Sequence, residues 1–418
     1  MKDHIPGYSA GRTHAAFRNT ASLIEAAATH FEAAHYQGVM ALYVRPSEGR
    51  TVVLNYDGRQ IVDFVRCSYL ALDNHPAIVA GAVDAVRSSG TLHWSCARTR
   101  LNFASLGELE ASLSDLFNAK VITYTTVLAA NMSALPLIAS GHLTGGYKPV
   151  MVFDRLAHAT LAYHKGTIAS ETRVETLAHN DLADLERLCR KNQAVAYICD
   201  GVYSMGGSAP IDELRRLQEK YGLFLYIDDA HGISLFGDKG QGFARSQMDE
   251  LGSRTIIAAS LGKGFGASGG MLMLGTVHQE NLFRRFAVAH AFSASINTAS
   301  IGAALASARL HRTNELGRLQ AALQERIALF DALMPTAQSG KPLPIRTVHF
   351  GDELMAVAAA RVLLQKGFYA SAIFFPTVAR GQAGLRVCLT AGHSEEQIRS
   401  LCAEIDMVRD DIRKAHEP

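Results

Sequence analysis

Short apolar runs alternate with amphipathic stretches through the middle of the chain, and this alternation predicts strands and helices in turn. The strand candidates are VITY (121–124), PVMVF (149–153), AVAYIC (194–199), LFLYI (223–227), TIIAA (255–259) and MLML (271–274). Between them lie helical patterns. In 212–222, Leu214, Leu217 and Tyr221 recur at helical spacing and Gly222 stands as the C-cap. Strands apolar on both faces that alternate with helices predict an α/β fold, with a mostly parallel central sheet and helices on both faces. Ahead of this region, residues 1–60 read as an arm, with a helix over 21–34 and a short strand pair. Behind it, 297–334 is helical with a break near Thr313. A smaller α+β unit then follows: LPIRTVHF (343–350), a helix over 352–366, AGLRVCL (383–389) and a last helix opened by a capping box from Ser394 to Gln397. The expected organisation is an arm (1–60), a large domain (61–295) and a small C-terminal domain (296–418).

Composition narrows the function. With 418 residues, 48% hydrophobic and 19% charged, the chain reads as globular with more than one core. A net charge of +2 provides no basic field for nucleic acid or an anionic membrane. Six scattered cysteines without a CxxC pair point to a reducing, cytoplasmic setting and away from a zinc site. The first seventeen residues lack the apolar core of a signal peptide. The uncharged stretch 121–141 is long enough to span a bilayer, but its Thr, Ser, Asn and Pro and its strand-like start favour a buried strand, turn and helix.

The polar residues fall where the strands end, and in open α/β sheets that edge holds ligands. VITY runs into Val127 and Leu128 at a helix start. PVMVF ends in Asp154 with His158 beyond it. AVAYIC ends in Asp200 with Ser204 beyond. LFLYI ends in Asp228, Asp229 and His231, and TIIAA in Ser260 and Lys263. Asp154 and Asp200 also read as plain turn caps. Asp228, Asp229 and His231 suggest a metal, but no third ligand completes a familiar pattern, so no metal is expected. The glycines around Lys263 match neither a Walker A loop nor a dinucleotide fingerprint. One chemistry employs the whole set. Pyridoxal 5'-phosphate needs a lysine amine for its aldehyde, a carboxylate facing its ring nitrogen, a helix N-terminus for its phosphate and a flat side chain over its ring.

From about Tyr69 onward the chain resembles the α-oxoamine synthases, a family of fold-type I pyridoxal phosphate-dependent transferases. The likeness rests on YLALDNHPAIV (69–79), DGVYSMGGSAPI (200–211), IDDAHGISLFGDKGQG (227–242), ASLGKGFGASGG (259–270) and the segment 374–398. It implies that Lys263 carries the cofactor and is the acid/base at the substrate Cα. Asp228 would face the ring nitrogen, His158 would stack on the ring, and His231 and Ser204 would reach the phenolic oxygen. Val127 and Leu128 N–H groups with Ser260 would hold the phosphate, and Arg386 would bind the carboxylate of an amino acid. The activity implied is condensation of that amino acid with an acyl-CoA, usually with decarboxylation, to give an aminoketone. The family also implies a homodimer, with Ser293 lent across the interface to the phosphate.

Three departures lie near the substrate. Ser68 replaces an Asn, Leu106 replaces a His, and Ala294 stands where Thr or Asn is common. Ser68 is therefore a substrate-side candidate. These changes open a second reading in which S-adenosylmethionine is the amino donor, as in the autoinducer-synthase branch, with elimination or a different electrophile. A third reading is a cofactor-binding scaffold without catalysis. The segment 91–103, with Trp94, Arg98 and Arg100, reads either as a recogniser of an anionic or aromatic group or as a surface loop.

Overall fold

Three sheets organise the chain, which is described for residues 20–416 in a computed structural model. Strands β1 (Val44–Pro46), β2 (Thr51–Leu54) and β3 (Gln60–Asp63) come first. The central strands follow: β4 (Lys120–Tyr124), β5 (Val150–Asp154), β6 (Val174–Leu177), β7 (Val195–Asp200), β8 (Phe224–Asp228), β9 (Thr255–Ser260) and β10 (Gly270–Leu274). The last four are β11 (Ile345–Gly351), β12 (Phe368–Tyr369), β13 (Ser371–Ile373) and β14 (Ala383–Cys388). The signal-peptide reading falls on residues outside the described range.

The central sheet has the order β4-β10-β9-β8-β7-β5-β6. All its strands run parallel except β10, which is antiparallel to both β4 and β9. Alternate residues of each strand enter opposite cores, as the pleat requires. Val121, Tyr197, Cys199, Leu225, Ile227, Ile257, Ala259, Met271 and Met273 face one core. Ile122, Ala196, Ile198, Phe224, Tyr226, Ile256, Ala258, Leu272 and Leu274 face the other. Each fully buried side chain of this size stabilises by roughly 1.5–3 kcal/mol, so both faces must be covered by helices.

The six central strands expected from the sequence are present, and β6 joins them at the edge. The uncharged stretch resolves into β4, a turn and a buried helix, and no helix among the described residues is long and apolar enough to cross a membrane. The labelled helices are α1 (Thr20–Tyr36), α2 (Pro76–Ser89), α3 (Ala104–Phe117) and α4 (Val127–Ala139). Three residues separate the helix Thr298–Leu310 from the next one, Asn314–Leu333, which Thr313 caps. Ser394 and Gln397 form the reciprocal bonds of the expected capping box, at 3.0 and 3.1 Å.

The first and last parts of the chain share a core. Strand β12 pairs in parallel with β3, Phe368 beside Val62 and Tyr369 beside Asp63. Leu54, Ile61 and Phe64 are buried with Leu363, Ile398, Leu401 and Ile405. The expected division at residue 60 thus falls at the start of a strand whose sheet draws on both sides of it. The helix Thr298–Leu310 contributes Ile301, Ala304 and Ala308 to the sheet core and Ala303, Ala306 and Leu310 to the C-terminal core.

In the segment 91–103, Arg98 is a structural residue and not a free recogniser of anions. It is buried, donates to Thr123 O at 2.6 Å and pairs with Glu110 at 2.7 Å. Glu110 also accepts from Thr123 N and Oγ1 and from Arg284 Nη2, at 2.8, 2.9 and 3.0 Å. Burial raises the Glu110 pKa, but Arg98 and Arg284 outweigh it and hold the carboxyl below its usual range. Its stabilisation is therefore complete above that range and is lost as pH falls through the lowered value. Glu110→Ala leaves a buried guanidinium unpaired and is expected to destabilise the fold by about 3–5 kcal/mol, read as a lower urea midpoint.

Candidate active site

The carboxyl ends of β7, β8 and β9 and the start of α4 deliver the candidate residues to one place. Asp228 ends β8 and is buried. Its Oδ2 accepts from Asn131 Nδ2 at 3.2 Å and its Oδ1 from Ala230 N at 3.1 Å. Asn131 lies one turn into α4. It takes a hydrogen bond from Tyr226 OH at 2.6 Å and gives one to Thr160 Oγ1 at 3.1 Å. Thr160 in turn meets His158 Nδ1 at 2.8 Å. One chain of bonds thus ties the acid to the imidazole.

Lys263 stands in the loop after β9, half-buried, with Nζ 2.9 Å from His231 Nε2. His231 Nδ1 is 2.7 Å from the hydroxyl of fully buried Tyr69. Burial, followed by the charges of Lys263 and Arg386, holds His231 well below its usual pKa, so the ring is neutral. Burial also lowers the Lys263 amine, with Asp228 and Cys67 pulling the other way. His158 is lowered by burial, although the Asp228 carboxylate opposes this. Asp200 is held well above its usual range by burial and then by Asp228 beside it in register, and its Oδ1 accepts the His158 backbone N–H at 3.1 Å. Asp154 has no such role: it accepts from Leu156 N, Asn180 N and Tyr197 OH at 2.7, 2.9 and 2.9 Å and works as a turn and sheet anchor.

Asp228 and Asp229 point apart. Asp229 Oδ2 accepts from Ala244 N at 3.0 Å, and its carboxyl packs among Gly201, Gly232 and Gly242. A Cβ on Gly232 or Gly242 would lie 2.1 or 2.5 Å from its oxygens, which explains two glycines of the 227–242 motif. Burial pushes Asp229 up to about 8.

The α4 N-terminus opens beside Ser260. Thr126 caps the helix through Ala129 N at 3.1 Å, leaving the first N–H groups, including those of Val127 and Leu128, without partners inside the helix. Gly270 sits opposite both Tyr124 and Ser260. A Cβ on Gly270 would lie 2.5 Å from Thr126 C and from Val127 N. Both are backbone atoms, so Gly270→Ala must push the helix start away from Ser260. The expected result is an anion site weakened by tenfold or more with the fold retained, read by phosphate-dependent protection against heat.

Arg386, on β14, is buried and donates Nε to Ser204 O at 2.7 Å. Ser204 thus enters through its carbonyl, as the strut that aims the guanidinium. Ser260 Oγ accepts from Gly262 N at 3.2 Å. Ser68 spends its hydroxyl on Asp73 N at 3.1 Å, within its own turn. Ser293 is half-buried in the segment 292–297, and the hydrogen bonds that knit the cluster do not include it. Reading the sequence placed Asp200 at the edge only as a strand-end acid or turn cap, gave no role to Tyr69 or Asn131, and missed Thr160. Tyr69 opens a quoted motif, and Asn131 stands four residues after Val127 on the inward face of α4, so both carried a signal.

A family model described as aminotransferase class I and II matches residues 102–405. The 8-amino-7-oxononanoate synthase of Geobacter sulfurreducens is 32% identical over 372 residues, covering 86% of this chain and 91% of its own. The enzyme of that name from Maricaulis maris is 32% identical over 373 residues, covering 87% and 90%. Among solved structures, serine palmitoyltransferase from S. paucimobilis with bound PLP and myriocin superimposes with a TM-score of 0.82 at 20% identity. It covers 95% of this chain and 100% of that one, and shows the same fold.

Proposed function

The chain belongs to the class I and II aminotransferase family, in its α-oxoamine synthase branch, and from that premise we propose that it joins an amino acid to an acyl thioester with pyridoxal 5'-phosphate as cofactor. The convergence of Lys263, His231 and Asp228 at the strand ends carries this reading. The residues fit the cofactor. An amine of lowered pKa, a carboxylate held from behind by Asn131, and a helix start kept open by a glycine stand together. When bound, the cofactor supplies an aldehyde that condenses with an amine and a ring that takes up the electron pair released at the substrate Cα.

The chain's own residues do the rest. Asp228 keeps the ring nitrogen protonated. Val127 and Leu128 N–H groups and Ser260 hold the phosphate, where the helix dipole favours negative charge. His158 would cover the ring face, and His231, oriented by Tyr69, would bond the phenolic oxygen. Arg386, aimed by Ser204, holds the amino-acid carboxylate, since a planar fork fixes orientation where a point charge would not. Lys263 Nζ would remove the Cα proton, the new bond would form between that carbon and the thioester carbonyl as the thiol leaves, and loss of the amino-acid carboxylate as CO2 would then give the aminoketone.

A homodimer belongs to this reading. Leu128 and Met132, one turn apart on α4, are exposed, as are Val288 and Phe292 on the short helix packed against α4 and at its end. All six cysteines are free, which supports a reducing, cytoplasmic setting.

The test is to add single amino acids to the purified protein, follow cofactor absorption and then add acyl-CoA. One amino acid should shift the spectrum, and acyl-CoA should then release free CoA and an aminoketone seen by mass spectrometry. A response to S-adenosylmethionine alone, or to no amino acid, would sink the reading.

A further inference from the structure

The guanidinium of Arg386 faces a sulfur. With Nε committed to Ser204, its two terminal nitrogens lie 3.9 and 3.7 Å from Cys67 Sγ. Among the described residues no carboxylate forms an ion pair with Arg386, although the arginine is buried. A buried cation without a counter-charge is costly.

Cys67 Sγ lies 3.9 Å from Val65 O, and its other polar neighbours favour an anion. Cys388 stands two residues after Arg386 on β14, hence on the same face of the strand. The thiol of Cys388, the charge of Arg386, the hydroxyl of Tyr69 and the charge of Lys263 all favour the charged form of Cys67. Together they outweigh burial and bring the Cys67 thiol down to about 4, and Cys388 retains its proton, held well above its usual range. Of the other cysteines, Cys189, Cys199 and Cys402 are buried and shifted upward, and Cys96 is exposed. Cys67 alone combines partial exposure with a charged partner inside the candidate site.

We propose that the Cys67 thiolate is the resting counter-ion of Arg386, and that the carboxylate of the incoming amino acid displaces it from the guanidinium fork. The displacement rests on Arg386 being the carboxylate seat. The arginine is thereby kept aimed and compensated between turnovers, and only a ligand that brings its own negative charge can replace the sulfur without leaving a bare cation. Cys67 is a positioning and selecting residue in this scheme, acting through Arg386.

Alkylation of the full-length, cofactor-loaded protein with iodoacetamide tests this. The thiolate attacks the methylene carbon and iodide leaves, and peptide mass spectrometry assigns the rate to each cysteine. Between pH 6 and 8 an ordinary thiol speeds up roughly 50–100-fold as its thiolate fraction rises. Cys96 should behave this way and Cys67 should change by less than about threefold. Arg386→Gln should make Cys67 steep, and Arg386→Lys, which keeps the charge, should leave it nearly flat, giving a second variant should the first misfold. A steep Cys67 profile in the unaltered protein overturns the counter-ion. An amino acid that shifts cofactor absorption should slow Cys67 labelling at least tenfold, whereas its carboxamide should not. A spectral shift without protection overturns the displacement. Absence of any spectral shift would defeat the proposed reaction, and the pH profiles would still decide the Cys67–Arg386 pair.

Discussion

Lys263→Ala is expected to give a protein that borohydride cannot tag with a pyridoxyl group and whose turnover falls by roughly 10³–10⁴-fold or more. On the proposed reading this side chain is the amine that takes the cofactor's aldehyde. Its loop is closed tightly, with Ala267 N bonded to Leu261 O at 2.7 Å and Leu261 N to Gly269 O at 2.9 Å. Gly264 and Gly266 press against Ile233 O and Leu72, so the backbone stays put when the side chain is cut back. The loss is therefore chemical and not conformational. Absorbance before and after borohydride, followed by mass spectrometry of the tryptic peptide containing residue 263, reads it directly. A reducible chromophore surviving in the variant would show that another amine holds the cofactor.

Asp228→Asn should lower turnover by about 10²–10³-fold while leaving the folding midpoint unchanged or raised. On the proposed reading the charge at this position is the functional part. Asn131 holds the carboxylate from behind at 3.2 Å, and an amide can take over that packing. Removing the charge also relieves the repulsion felt by Asp200, its neighbour in register, whose carboxyl is pushed upward partly by Asp228. Function and stability should therefore move in opposite directions. Steady-state kinetics alongside thermal melts separates them. Equal losses in both would make Asp228 a structural residue.

Much of this arrangement was legible in the residues. The six central strands announced themselves as apolar runs because both faces of a parallel sheet are covered. β6 escaped because its pattern, VETL beside an arginine, mixes polar residues as edge strands do. The insertion of β10 between β4 and β9 is a matter of register, which local pattern does not encode. Lys263, Asp228 and His231 were proposed because motif and strand end coincide, and the structure brings them to one place. Tyr69 was quoted without a role, since a phenol in an apolar segment reads as core until its hydroxyl is seen to meet a histidine. Arg98 was misjudged for a related reason. Its partner Glu110 lies on the inward face of α3 among Leu106, Leu109 and Leu113, and that lone acid in an apolar stripe was the available clue.

The pairing of β3 with β12 also dictates when this protein can finish folding. Val62 emerges from the ribosome about 300 residues ahead of Phe368, its neighbour in the sheet. At ~5–20 residues per second the interval is roughly 15–60 s. Throughout it the N-terminal ribbon offers a bare strand edge, with Leu54, Ile61 and Phe64 still wet. A message truncated anywhere before codon 368 yields a polypeptide that never acquires its closing strand and keeps that edge open to other chains.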